Sequence, residues 1–80
     1  MTNPFVGLRV LYRPGPYDKG VQIGDGLFSA IITHVHSSSC VNIAYFDSLG
    51  VAYSRTNASV WDGVGEAPRD QYAELGTVKP

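Results

Sequence analysis

Two apolar runs around a serine triplet decide the fold: residues 29–50 are SAIITHVHSSSCVNIAYFDSLG. Both runs are rich in β-branched and aromatic residues, which favour strands. The triplet at 37–39 predicts a turn, so the two runs form a β-hairpin. Residues 47–50 predict a four-residue loop to a further strand, in which Gly50 supplies a positive φ angle.

The flanking segments extend this sheet in both directions. In residues 6–13 (VGLRVLYR), every second side chain is apolar and lies on one face, which predicts a first strand. Residues 14–16 (PGP) end that strand, and the glycine-rich residues 17–26 predict a long loop that packs on the body through Val21 and Ile23. The remaining predicted strands are 27–36, 40–46 and 51–60.

The order of these elements indicates an all-β fold with no helix. A strand, a long loop and a three-strand meander fit a small SH3-like barrel, and closure would remove exposed strand edges. The alternative is a strongly bent antiparallel meander of four to five strands. We predict a single domain over residues 1–80 with its core in 5–62. The tail 63–80 either adds a short strand near Tyr72 and Leu75 or is disordered.

The composition excludes several classes of function. The 80 residues are 44% hydrophobic and 16% charged, which is too apolar for intrinsic disorder. A net charge of −1 provides no broad basic field for duplex nucleic acid. Polar residues interrupt the longest uncharged stretch, so we expect no membrane span. The single cysteine, Cys40, excludes an internal disulfide and fits a reducing cytosol, and residues 1–5 lack the pattern of a secretory signal.

The two faces of the predicted hairpin differ in polarity. With residues 37–39 as the turn, Val35 lies opposite Val41, on the more apolar face. We predict that this face forms the core with Leu8 and Val10, and that its other pairs are Thr33 with Ile43 and Ile31 with Tyr45. The opposite face has a polar and an apolar end, and its predicted pairs are His36 with Cys40, His34 with Asn42, Ile32 with Ala44, and Ala30 with Phe46.

The fourth strand adds two side chains to this opposite face. If the loop 47–50 closes with Phe46 opposite Val51, then Tyr53 lies opposite Ala44 and Arg55 lies opposite Asn42. A shift of one residue would turn Arg55 toward the core, which is unfavourable for an arginine. We therefore predict one polar patch made of His34, His36, Cys40, Asn42, Tyr53 and Arg55.

The chemistry of this patch suits a small anionic, nucleotide-like ligand. The guanidinium of Arg55 would pair with a phosphate, and the imidazoles of His34 and His36 would donate hydrogen bonds. Tyr53 or Trp61 would stack on a base. Arg13 is either a solvated edge residue or a second cation of the site. The predicted ligand-binding residues are Arg55, His34, His36, Asn42, Tyr53, Trp61 and Arg13.

Two other chemistries would need the same residues. His34, His36 and Cys40 are of the types that bind zinc, but a structural site needs four ligands and no second cysteine or nearby acid provides the fourth. Cys40 with a histidine base has the residue types of a nucleophilic enzyme, but one face of so small a sheet offers little cavity to exclude water. We predict no metal, no cofactor and no enzymatic activity.

Residues 33–50 follow the pattern T-x-V-H-S-x-x-C-V-N-x-x-x-F-D-x-x-G. This segment resembles a group of small, largely uncharacterised proteins encoded by tailed bacteriophages and prophages. In that group an R-T-S-V segment follows, whereas this chain has RTNASV at 55–60. The resemblance implies an accessory protein made in the cytoplasm of the bacterial host, of a class that often counters a host defence.

Two kinds of partner follow from these observations. The first is an anionic nucleotide-like signal that the protein binds and sequesters at subunit junctions. The alternative is a protein partner, so that the chain is an interaction module that inhibits a host protein or a minor structural component of the phage. Ile32, Ala44 and Phe46, placed opposite the predicted core, leave an apolar patch, and we therefore expect a homo-oligomer.

Overall fold

The computed structural model of the chain describes residues 3–21, 24, 26–63, 65–69 and 71–75. None of these residues is helical, so the described part has no helix that could cross a membrane. Five strands form a closed barrel in chain order, and all neighbours are antiparallel except the parallel pair of the fourth and fifth. The all-β prediction is confirmed, as the barrel rather than the open meander. The strands are β1 (Arg9–Arg13), β2 (Phe28–Ser37), β3 (Cys40–Phe46), β4 (Ala52–Trp61) and β5 (Tyr72–Glu74).

The four predicted strands are present, but only β3 has the predicted ends, and β4 begins and ends one residue later than predicted. β1 begins at Arg9 because the residues before it turn: the Leu8 amide donates to the Phe5 carbonyl at 3.1 Å, and Gly7 has a φ angle of 93°. β2 runs to Ser37, so two serines rather than three make the hairpin turn. A loop follows β3 as predicted, with a φ angle of 84° at Gly50, but it also includes Val51, because Phe46 pairs with Ala52 rather than with Val51.

β5 lies in the segment that the sequence assigned to the tail. It pairs with β1 on one side and with the end of β4 on the other, which closes the barrel. Ala73 and Leu75 are buried in the core, which therefore extends beyond the predicted range 5–62. Residues 64, 70 and 76–80 of the predicted tail lie outside the described residues.

The core draws on all five strands. Val41, Ile43 and Tyr45 of β3 face inward as predicted, together with Val10 of β1. On β2 the prediction is wrong, because Ala30 and Ile32 are buried whereas Ile31 and Thr33 are exposed. The full buried hydrophobic cluster is Val10, Tyr12, Phe28, Ala30, Ile32, Val41, Ile43, Tyr45, Ala58, Ala73 and Leu75.

Two β-bulges on β2 explain that error. The predicted pairs His34 with Asn42 and Val35 with Val41 are confirmed, but the register shifts between Ile32 and His34 and again between Val35 and Ser37. An extra residue reverses the alternation of a strand, so Ile32 and Val35 both face the core although they are three residues apart. Below the first bulge, Ile32 therefore pairs with Ile43 and Ala30 pairs with Tyr45, and beyond the second, Cys40 pairs with Ser37 rather than with His36.

β4 pairs one residue out of the predicted register, with Phe46 opposite Ala52 rather than Val51, and it has a third bulge beyond Arg55. Tyr53 lies opposite Tyr45 and Arg55 lies opposite Ile43, so both point to the core side. The bulge follows at residues 56–57, where Asn57 has a φ angle of 55°, and Ala58 then also faces inward. The predicted pairs of Arg55 with Asn42 and Tyr53 with Ala44 are therefore wrong.

The long loop after β1 packs on one end of the barrel through its backbone. The carbonyl of Lys19 accepts a hydrogen bond from the Tyr45 hydroxyl at 2.9 Å, and the carbonyl of Val21 accepts one from the Ser48 amide at 2.9 Å. The side chain of Val21 is 45% exposed, so it does not make the predicted apolar contact. Ile23, the other residue of that prediction, lies outside the described residues.

A substitution at Gly20 tests how closely the backbone of the long loop packs on the barrel. The φ angle of Gly20 is 125°, and a Cβ added there would lie 3.0 Å from the Asp47 Cβ and 3.3 Å from the Phe28 ring. Gly50 is a matched control, because it has a φ angle of 84° but no atom within 4 Å of an added Cβ. We expect Gly50→Ala to lower the free energy of unfolding by about 1–2 kcal/mol from backbone strain alone. Gly20→Ala should lower it further in urea unfolding, and an equal or smaller loss would contradict this packing.

Candidate functional site

Asp18 is the centre of a polar cluster at the end of the barrel that the long loop covers. Its Oδ1 atom accepts a hydrogen bond from Arg55 Nη1 at 2.8 Å, which makes an ion pair. Its Oδ2 atom accepts hydrogen bonds from the Tyr12 hydroxyl at 2.5 Å and from the Gly15 amide at 2.7 Å. The Asp18 side chain is 7% exposed and that of Arg55 is 32% exposed. An inward arginine is therefore accommodated because the loop places a carboxylate beside it.

This cluster shifts the pKa values of its members. Burial of Asp18 favours its neutral form, but the hydrogen bonds from Tyr12, Gly15 and Arg55 outweigh burial and hold its pKa below the ordinary value. Burial and the bond to Asp18 raise the pKa of Tyr12. Burial also opposes the charge on Arg55, but the bond to Asp18 prevails and raises the pKa of the guanidinium. Asp18 therefore stays ionised and Tyr12 stays neutral near neutral pH.

Asp47 is the centre of a second cluster at the same end of the barrel. Its carboxylate accepts hydrogen bonds from the amides of Val21, Leu49 and Val51 at 2.9–3.0 Å and from the Tyr53 hydroxyl at 3.3 Å. These donors, the Val21 amide first, hold the pKa of Asp47 below its ordinary value despite burial. One carboxylate therefore closes the β3–β4 loop and also attaches the long loop to it.

Three tyrosines form a row inside the barrel between these clusters. The ring of Tyr45 lies 5.1 Å from that of Tyr12 and 5.4 Å from that of Tyr53, measured between centroids. Burial raises the pKa of both Tyr45 and Tyr53. Each hydroxyl donates to a different group: Tyr12 to Asp18, Tyr45 to the Lys19 carbonyl, and Tyr53 to Asp47.

Two hollows open beside this row, on either side of Tyr17. Gly15, Pro16, Tyr17, Arg55 and Gln71 line one of about 310 Å³. The other, of about 340 Å³, is lined by Tyr17, Asp18, Lys19, Tyr45, Tyr53 and Ser54. The Tyr17 side chain is 93% exposed between them. An aromatic ring presented to solvent beside two cationic side chains is suited to stacking on an anionic ligand.

His34, His36 and Asn42 lie together on the outer face, apart from these hollows. The two imidazole rings are 4.7 Å apart between centroids, and His36 Nε2 lies 2.8 Å from Asn42 Oδ1. Asn42 Oδ1 also accepts the Asn57 amide at 3.0 Å, so His36 Nε2 must be the donor in that bond. Asn57 Oδ1 lies 3.8 Å from Cys40 Sγ. The side-chain oxygen of Asn42 thus accepts a hydrogen bond from the Asn57 amide, in place of the strand-to-strand hydrogen bond that the bulge in β4 removes.

The other predicted site residues are separate from both groups. Trp61 packs edge-on against Tyr72, 5.1 Å between ring centroids, and lines a further hollow with Val60, Asp62 and Leu75. Arg13 is exposed at the end of β1, opposite Tyr72. The prediction of a single patch is therefore wrong for Arg55 and Tyr53, because the register of β4 turns them inward. Whether any of the predicted residues binds a ligand stays a prediction.

The sequence analysis missed Tyr17, Asp18, Lys19 and Asp47 as members of a site. A signal for the three loop residues existed, because an aromatic residue and two charged residues directly follow a Pro-Gly-Pro turn. The partner of Arg55 could not be found from neighbours in the chain, since Asp18 lies 37 residues away.

The described residues contain no group of three or more His, Cys, Asp or Glu side chains that could hold a metal ion together. No protein-family model, curated protein or solved structure matches the chain. The resemblance to phage accessory proteins therefore stays a prediction.

The lowered pKa values of Asp18 and Asp47 predict how the free energy of unfolding depends on pH. Their pKa values are lower in the folded state, so the unfolded chain takes up protons at a higher pH than the folded chain does. The free energy of unfolding should be nearly constant above about pH 5 and should fall as the pH drops through the ordinary aspartate range. Urea unfolding at several pH values between 7 and 2.5 would measure this loss.

Variants of the Asp18 cluster measure how much of the stability that is lost on acidification is due to Asp18. Asp18→Asn should be less stable at pH 7 and should lose less stability on acidification. Tyr12→Phe keeps the carboxylate but removes one donor, so it should reduce the pH dependence only in part. A wild-type profile that Asp18→Asn leaves unchanged would show that Asp18 does not have a lowered pKa.

Proposed function

We propose that this chain is a non-enzymatic binding protein for a small anionic, nucleotide-like ligand. The observation that carries the proposal is Tyr17, a ring 93% exposed between two hollows of about 310 and 340 Å³. A ring this exposed buries little apolar surface in the fold, so it adds little to stability and is accessible to a ligand. Arg55 lines one hollow and Lys19 the other, so an anion on either side of the ring meets a positive charge.

The chemistry of the hollows supports a ligand with a planar base and a phosphate. The base would stack on the Tyr17 ring, as bases do on exposed aromatic side chains. The phosphate would take hydrogen bonds from Arg55, whose guanidinium has five N–H donors. Asp18 accepts its hydrogen bond from Nη1 of Arg55, and the N–H groups on the other guanidinium nitrogens are the donors that we assign to the ligand.

The remaining predicted contacts would need a second copy of the chain. His34, His36, Asn42, Trp61 and Arg13 do not line the two hollows beside Tyr17. A ligand held at a junction between subunits could contact Arg55 of one copy and these residues of another. In the setting that the sequence resemblance implies, the protein would be a phage accessory protein in the bacterial cytoplasm that sequesters a nucleotide signal of a host defence.

Tyr17→Ser tests whether the exposed ring of Tyr17 contacts the ligand. Because the ring is exposed, the variant should have the unfolding temperature of the wild type. Its affinity for a bound nucleotide should fall by about 5- to 150-fold, the range for loss of one stacked base. Isothermal titration with 5′-AMP, 5′-GMP and 3′,5′-cyclic AMP would measure it. Tyr17→Phe keeps the ring and is the matched control.

Arg55→Lys separates binding from folding at the same site. Lysine keeps the charge beside Asp18 but lacks the forked donors of arginine. We expect little change in the free energy of unfolding and a weaker affinity for the nucleotide. Equal losses in folding and binding would make Arg55 a structural residue, and no binding of any of the three nucleotides would overturn the proposed function.

A second candidate function rests on the outer face of the barrel. The cross-strand rows of Ser29, Phe46 and Ala52 and of Ile31, Ala44 and Ser54 point away from the core and are uncharged across β2–β4, and Arg9 of β1 borders them beside Ile31. The predicted apolar patch thus exists with Ile31 in place of Ile32, which is buried. Phe46 and Ala44 are two residues apart on β3, so a two-fold axis between them would place each phenyl ring over the alanine of a second copy. We propose that this face joins two copies of the chain or binds another protein.

Phe46→Asp tests this interface. A buried charge would separate the subunits, so light scattering at about 100 μM should change from an oligomeric to a monomeric mass while circular dichroism keeps the strand signal. Leu49→Asp is the matched control, because Leu49 is 65% exposed at the β3–β4 loop and lies off this face. A monomeric wild type would exclude self-association at this concentration, and unfolding of Phe46→Asp would show that Phe46 is needed for the core.

A further inference from the structure

The two hollows beside Tyr17 contain a negative charge as well as two positive ones. The charged side chains that line them are Arg55, Lys19 and Asp18, with a net charge of +1. Asp47 lies behind Tyr53 and does not line either hollow, and its charge is met by three amides and a hydroxyl. The charge that a ligand meets is therefore set by these three side chains.

Asp18 cannot readily leave the site to make room for an anion. The Tyr12 hydroxyl and the Gly15 amide hold its Oδ2 atom, and the Asp18 amide donates to the Gly15 carbonyl at 3.2 Å. These bonds do not involve Arg55, so a ligand that attracts Arg55 would leave the carboxylate in place. A bound phosphate would therefore have a fixed negative charge as its neighbour.

We propose that Asp18 is a specificity-determining residue that limits the ligand to one negative charge, such as a phosphodiester or a singly ionised phosphate. This inference rests on the proposed function and names the charge class of its ligand. A single charge is balanced by the net +1 of the lining, whereas the second charge of a phosphomonoester is unbalanced and lies near the Asp18 carboxylate. Cyclic nucleotides meet this condition, and nucleotides with a terminal phosphate near neutral pH do not.

Two nucleotides with the same base and sugar test the proposal. 3′,5′-Cyclic AMP has one negative charge throughout, and 5′-AMP changes from one to two charges with a pKa near 6. By isothermal titration at pH 8, cyclic AMP should bind the wild type about tenfold more tightly than 5′-AMP. At pH 5 the two affinities should approach each other, because 5′-AMP then has a single charge.

The side chains around Asp18 do not account for the expected change in relative affinity between pH 5 and pH 8. Tyr12 and Tyr45, with raised pKa values, stay neutral between pH 5 and 8, while Asp18, with a lowered pKa, and Arg55, with a raised pKa, keep their charges. His34 and His36 do not line the hollows, and the cyclic AMP affinity reports any effect of pH on the protein itself.

Asp18→Asn provides the second measurement. It raises the net charge of the lining to +2, so the preference for cyclic AMP at pH 8 should shrink severalfold. If this variant does not fold, the pH series on the wild type decides the question. Equal affinities of the wild type for both nucleotides at pH 8 would overturn the charge limit and leave the proposed function standing. If neither of these nucleotides nor 5′-GMP binds, the proposed function itself fails.

Discussion

The hydrogen bonds that attach the long loop to the end of the barrel are the constraint on which the rest of the structure depends. Three tyrosine hydroxyls and a guanidinium point into this end, where leaving a polar group without a partner is costly. The loop supplies Asp18 and the Lys19 carbonyl, and the β3–β4 loop supplies Asp47. Within the described residues, every buried side-chain nitrogen and oxygen has a hydrogen-bond partner.

This attachment also determines which side chains are left for binding. Asp18 and the backbone around Gly20 are held against the barrel, whereas Tyr17, between Pro16 and Asp18, is 93% exposed to solvent. The same contacts place Arg55 and Lys19 at the two hollows on either side of it. A rigid scaffold that presents a loop residue in this way is a common arrangement for binding sites.

The bulges give the small barrel its closed shape and distribute its polar groups. Each bulge increases the twist of a strand, which helps five short strands to close. Each also exchanges inner and outer positions, which brings Ile32 and Val35 of β2, and Tyr53 and Ala58 of β4, to the same interior. The outer face of the sheet is consequently left with the uncharged row around Ala44 and Phe46, while His34, His36 and Asn42 share its other end.

The amino-acid sequence was enough to predict four of the five strands, a loop with Gly50 after β3 and the inward positions of β3, because alternation and glycine placement depend only on neighbours in the chain. It also indicated that His34 lies beside Asn42. Only the tertiary structure decided the direction of Arg55 and the membership of the site. An inward arginine is unfavourable until a carboxylate is brought beside it, and Asp18 reaches Arg55 only after the loop between β1 and β2 has packed on the closed barrel.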